Sequence, residues 1–140
     1  MAALYTASAT ATGEGRNGHS RSSDGVIDVD LATPVEMGGP GGATNPEQLF
    51  ATGYAACFLN ALKLTARRAR INLHDAAVTC DVSLIPNQAR GFGLAAALHV
   101  EMSGVDQATA DDLVARAHLV CPYSNATRGN IEVEMDTLVA

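Results

Sequence analysis

Strict alternation of apolar and polar positions marks several stretches of the chain as strands. Residues 25–31 (GVIDVDL) set Ile27, Val29 and Leu31 against Asp28 and Asp30, the period-two pattern of a half-buried strand. Residues 3–10 (ALYTASAT) mix β-branched, aromatic and small residues without a helical stripe and predict a strand as well. Residues 78–85 place Val78, Cys80, Val82 and Leu84 on one face. After the turn-rich PNQARG, residues 92–102 repeat the pattern with Phe92, Leu94, Ala96, Leu98, Val100 and Met102. That pair predicts an antiparallel hairpin with one covered face. Residues 130–137 oppose Ile131, Val133 and Met135 to Glu132, Glu134 and Asp136, a half-exposed closing strand.

Two stretches carry helical periodicity instead. Thr44 or Asn45 is suited to an N-cap, Pro46 to the first turn and Glu47 to the positive end of the helix dipole, which predicts a helix over about 47–70. Phe50, Tyr54, Cys57, Ala61 and Leu64 form its apolar stripe, and Lys63, Arg67, Arg68 and Arg70 crowd its C-terminal end. A second helix, about 107–120, has Thr109 and Asp112 at capping-box-like spacing, turns Leu113, Ala117 and Val120 inward, and stops at Cys121-Pro122. The segment TGEGRNGHSRSSDG between the first two strands predicts a long mobile connection carrying Arg16. The resulting order, ββ-α-ββ-α-β, is an α+β fold: antiparallel sheets with a long central helix and a second helix, in one domain spanning 1–140 without internal repeats.

Composition narrows the function. Of 140 residues, 47% are hydrophobic and 17% charged, ordinary globular usage that argues against disorder. Nine Lys+Arg against 15 Asp+Glu give a net charge of −6, and no basic run exceeds Arg67-Arg68, so nucleic acid is a poor partner. The apolar stretch 48–62 is interrupted by Gln48, Thr52, Gly53 and Asn60 and falls short of the roughly 20 residues of a membrane span. No basic start followed by an apolar run opens the chain, so a cytoplasmic, thiol-reducing location is expected. The three cysteines form no CxxC motif and no Cys/His cluster, which disfavours a metal site. His19, His74, His99 and His118 are scattered and are expected to be structural or surface residues.

The thiols are the candidates for chemistry. Cys80 alternates with Val78 and Val82 and belongs to the core. Cys57 lies mid-helix, and Cys121 ends the second helix; two helices facing one sheet could bring these thiols together as a redox couple. A thiol among apolar neighbours has its pKa raised, so a reactive Cys57 needs a nearby cation, for which Arg16 in its glycine-rich loop is the candidate. Glu47 at the helix start is, by itself, an ordinary surface charge.

Three motifs together resemble the organic hydroperoxide resistance proteins, within the wider group of osmotically inducible peroxidases. They are TNPEQLFATGYAACFLNAL at 44–62, CPYSNATRGNIEV at 121–133, and GR…SSDG at 15–25. The resemblance spans essentially the whole chain. It implies a thiol peroxidase in which Cys57 attacks the peroxide, Cys121 resolves the sulfenic acid as a disulfide, and Arg16 and Glu47 form the charged pair of the site. It further implies an organic hydroperoxide substrate, reduction by dihydrolipoamide or a lipoylated protein, no bound cofactor, and an intertwined homodimer with two sites at its interface. Phe50, Tyr54 and Met37 are candidate contacts for an alkyl or aryl tail; Phe58 is assigned to the core.

Glu47 and Cys57 stand ten residues apart, roughly 15 Å along a straight helix. The helix is therefore expected either to be offset near Gly53 or to present Glu47 to Cys57 of the partner subunit. Arg16 is expected to leave the site once Cys57 is no longer a thiolate. A module binding a small hydrophobic ligand and a thiol redox sensor are the alternatives from other functional classes; repeated peroxide turnover separates the enzyme from both.

Overall fold

The computed structural model describes residues 1–140, which fall into two compact units, Met1–Leu49 and Phe50–Ala140. The first holds a three-stranded antiparallel sheet of β1 (Ala9–Thr12), β2 (His19–Ser22) and β3 (Asp28–Asp30). The segment expected to be a mobile connection thus contains β2 as the central strand, and the first strand lies at 9–12 rather than 3–10. Four-residue strands in Gly/Ser-rich sequence carry too little alternation to stand out. His19 on β2 bridges Asp30 (2.7 Å) and Asp28 (2.5 Å) on β3. A single turn of 3-10 helix, Val35–Met37, follows.

Helix α1 (Pro46–Arg68) begins in the first unit and runs unbroken through the second, so the offset considered near Gly53 does not occur. Its cap is Asn45, whose side-chain oxygen accepts the Gln48 N–H at 2.8 Å. Its C-terminal end closes over Arg70, held at a left-handed φ of 58°, with the Ile71 N–H returning to the Ala66 carbonyl at 2.9 Å.

The second unit is built on β4 (His74–Pro86), β5 (Phe92–Ser103) and β6 (Val133–Val139), in the order β4-β5-β6. β4 and β5 form the expected antiparallel hairpin, with Cys80 opposite Leu98 and Val82 opposite Ala96. β6, by contrast, pairs parallel to β5, so this sheet is mixed rather than antiparallel. The connection through α2 (Gln107–Val120) and α3 (Pro122–Thr127) carries the chain back along the sheet before β6 begins. α2 is capped by Asp106, which accepts the Thr109 N–H at 2.8 Å, in place of the Thr109/Asp112 signature.

The core of this unit comprises Tyr54, Phe58, Ala61, Leu62 and Ala66 of α1, Cys80, Ala96, Leu98, Val100 and Met102 of the sheet, and Ala110, Leu113, Val114 and Ala117 of α2. The buried stripe of α1 runs Tyr54, Phe58, Ala61, Leu62, Thr65 and Ala66, rotated from the expected one so that Cys57 is left partly exposed. By length and mean hydropathy α1 would meet the minimum for a membrane crossing, but this stripe packed on a sheet is the behaviour of a core helix. On the sheet's other face His99 bridges Asp136 on β6 (2.6 Å) and Asp81 on β4 (2.9 Å).

Candidate active site

In the first unit Arg16 sits on the turn between β1 and β2. The turn depends on glycine: Gly13 and Gly15 both have φ of 71°, and a Cβ on Gly18 would fall 2.1 Å from the Thr12 carbonyl oxygen. So held, the Arg16 guanidinium meets Glu47 through both nitrogens of its fork, Nη1 donating to Oε2 at 2.9 Å and Nη2 to Oε1. Glu47 lies in the first turn of α1, where the helix dipole favours its charge. The Arg16 hydrogen bonds hold the Glu47 carboxyl below its ordinary range, and those same bonds raise the Arg16 pKa. Both groups stay charged, with Glu47 the more enclosed at 15% side-chain exposure against 35% for Arg16.

In the second unit the Sγ atoms of Cys57 and Cys121 stand 3.6 Å apart as free thiols. Cys121 is fully buried at the junction where α2 ends and α3 begins, capping both. Pro122 occupies the first position of α3, where its missing N–H is no loss. The backbone N–H of the next residue, Tyr123, acts on the Cys57 thiol. Burial pushes the Cys57 thiol up, that N–H pulls it back down, and the Cys121 thiol pushes it up again. Cys80 is a core residue, its thiol pushed up to about 11, by burial first and then by the Asp81 charge.

Residues 39–136 match the family model described as OsmC-like protein, and an organic hydroperoxide resistance protein of Xanthomonas axonopodis pv. citri is 52% identical over 134 residues, 94% of this chain and 93% of that one. The chain belongs to the OsmC-like family, among the organic hydroperoxide resistance proteins. A second such relative, from Bacillus subtilis, is 47% identical over 95% of each chain. The crystal structure of an organic hydroperoxide resistance protein from Legionella pneumophila superposes with a TM-score of 0.94 at 52% identity, covering 99% of this chain and 100% of that one.

Against this family background, the structure brings together Cys57 with Cys121, and Arg16 with Glu47. The three residues expected to meet a substrate tail fare differently. Met37 is 47% exposed at the end of the 3-10 turn of the first unit. Phe50 is partly buried and packs edge-on to the rings of Tyr54 and Tyr123, with centroids at 6.2 and 6.0 Å. Tyr54 has no exposed surface, and its hydroxyl is engaged by Ser124 Oγ at 2.8 Å and Thr127 Oγ1 at 3.2 Å; it offers a substrate nothing to touch. Phe58 is buried in the core, as expected.

Tyr123, Ser124 and Thr127 had no assignment from sequence, although all three lie in the CPYSNAT stretch that begins at Cys121. The Ser124–Thr127 spacing of three is the available signal, because it stacks two hydroxyls on one face of a single helical turn. Gly53 belongs with them. A Cβ there would stand 2.9 Å from the Tyr123 hydroxyl oxygen and 3.2 Å from its ring, so glycine lets Tyr123 lie against α1.

Proposed function

We propose that this protein is a thiol peroxidase that reduces organic hydroperoxides to alcohols and is recharged by a dihydrolipoyl dithiol. The observation that carries the reading is the Cys57–Cys121 pair at 3.6 Å, one thiol partly exposed and the other buried. The Cys57 thiolate attacks the terminal peroxide oxygen and the O–O bond breaks. The alkoxide leaves, takes a proton and departs as the alcohol, while Cys57 becomes a sulfenic acid. Cys121 then attacks the sulfenic sulfur and expels water, leaving a Cys57–Cys121 disulfide. Its sulfurs have about 1.5 Å to close from their present separation to a bond near 2.05 Å. A dithiol restores both thiols by two exchange steps, supplying the two electrons that the peroxide removed.

Arg16, kept charged and aimed by Glu47, supplies the cation that a desolvated thiolate and a departing alkoxide both require. Organic hydroperoxides as substrates are supported by relatives that carry hydroperoxide resistance in their names; the dihydrolipoyl donor is part of the proposal, and the choice of reductant tests it. In the homodimer, which we include in the proposal, the Arg16–Glu47 pair serves Cys57 of the partner subunit. Mixing Glu47→Ala with Cys57→Ser chains tests this. Action across the interface gives heterodimers with one intact site and one doubly damaged; action within each subunit gives two damaged sites and no recovered activity.

The function itself is tested by consumption of an organic hydroperoxide, supplied in turn with dihydrolipoamide and with glutathione. Turnover with dihydrolipoamide that Cys57→Ser abolishes and Cys121→Ser impairs supports the reading. Absence of turnover with any dithiol overturns it.

A further inference from the structure

Tyr54, three residues before Cys57 on α1, is fully buried and yet uses its hydroxyl on α3, a helix of six residues that could not persist alone. Its partners form a closed chain of donors and acceptors. Thr127 donates its hydroxyl to the Ser124 carbonyl oxygen at 3.2 Å, which leaves its own oxygen free to accept. Tyr54 then donates to Thr127 Oγ1 at 3.2 Å and accepts from Ser124 Oγ at 2.8 Å. Each hydroxyl donates once and all three are satisfied, in a buried setting where an unpaired one costs about 1–3 kcal/mol. The start of α3 carries the Cys121 thiol, 3.6 Å from the Cys57 sulfur, and next to it Tyr123, whose backbone N–H acts on the Cys57 thiol and whose ring lies against Gly53 of α1.

We propose that Tyr54 is a positioning residue for the thiol pair: its hydroxyl pins α3 so that Cys121 stays within closing distance of Cys57 and Tyr123 stays beside the Cys57 sulfur. This deepens the peroxidase reading and rests on it for the second of its two effects. The first effect concerns the thiolate. Releasing α3 moves the Tyr123 N–H that pulls the Cys57 thiol down, and a thiolate that loses such a dipole becomes more basic. The second concerns resolution, because the buried Cys121 has to meet the sulfenic acid before a second peroxide does.

The test uses the intact reduced protein with Tyr54→Phe, which deletes one oxygen from the buried ring, and Ser124→Ala, which deletes the opposite partner. The pH dependence of Cys57 alkylation by iodoacetamide is followed by peptide mass spectrometry, with cooperative thermal unfolding confirming the fold. Both variants should move the alkylation midpoint up by about one pH unit, so that alkylation at pH 7 slows about tenfold. After one equivalent of an organic hydroperoxide, both should accumulate more dimedone-trapped Cys57 than the wild type. Folded variants with the wild-type alkylation profile overturn the proposal; should Tyr54→Phe fail to fold, Ser124→Ala decides. Since alkylation needs no peroxide, a shifted profile in a protein that never consumes hydroperoxide would sink the peroxidase reading while leaving Tyr54's role at Cys57 standing.

Discussion

Cys57 and Cys121 share a 3.6 Å sulfur contact but not an environment: Cys57 is partly open to solvent, whereas Cys121 is completely enclosed where two helices meet. In the proposed reaction a peroxide arriving from outside meets Cys57 first, and Cys121 responds to what Cys57 has become.

That asymmetry predicts different defects for the two serine variants. Cys57→Ser should lose peroxide consumption entirely. Cys121→Ser should still react once, hold its oxidised sulfur as a sulfenic acid that dimedone captures, and pass to sulfinic acid under excess peroxide. Intact-mass spectrometry after graded peroxide distinguishes them. Equal loss of the first oxidation event in both variants would contradict the assignment of roles.

Arg16 should control the charge state of Cys57. Within its own helical surroundings that thiol is pushed up, chiefly by burial, so its reactivity rises with pH as the thiolate fraction grows. Removing the cation in Arg16→Ala should shift the alkylation profile of Cys57 to higher pH, and Glu47→Gln should shift it less, because it loosens the guanidinium without removing it. An Arg16→Ala profile that coincides with the wild type would assign Arg16 to the fold alone.

Gly53→Ala should be an exception to the usual gain from replacing a mid-helix glycine, about 0.5–1 kcal/mol. The new methyl group meets the rigid Tyr123 ring and hydroxyl at 2.9–3.2 Å, so Tyr123 must tilt. Thermal unfolding should show no stabilisation, and Cys57 alkylation should change with it. A more stable protein with unaltered thiol reactivity would contradict the close packing of Tyr123 on α1.

Cys80 should affect alkaline stability and not catalysis. Its thiol titrates near 11 in the folded chain, above its ordinary value of 9.0. A group whose folded pKa is raised supports folding fully below its unfolded pKa and loses that support as pH rises through the folded one. The wild type should therefore lose stability across pH 9 to 11 more steeply than Cys80→Ala, with equal peroxide turnover at pH 7. Parallel pH–stability curves would contradict the buried assignment.

Much of this arrangement is legible in the residues themselves, where local pattern decides. α1 spans Pro46–Arg68 against an expected 47–70, α2 matches its expected bounds, and the β4–β5 hairpin follows from its alternation. The direction of β6 is not legible, because apolar alternation is the same in a parallel and an antiparallel strand. The inward stripe of α1 is displaced for a related reason: with Phe50, Tyr54, Cys57, Phe58, Leu62 and Leu64 all apolar, sequence alone offers two overlapping faces, and the sheet and α2 select the one led by Tyr54 and Phe58. Tyr54 shows the limit most clearly. Its ring suggests a substrate contact until its hydroxyl finds Ser124, 70 positions along the chain, a partner that only the fold supplies.

The most direct test is to identify the bond made when the reduced protein meets one equivalent of an organic hydroperoxide. Non-reducing peptide mapping should find Cys57 joined to Cys121 within one chain, with Cys80 still alkylatable after unfolding. A disulfide involving Cys80, or Cys57 and Cys121 both recovered as free thiols after the peroxide is consumed, would contradict the account.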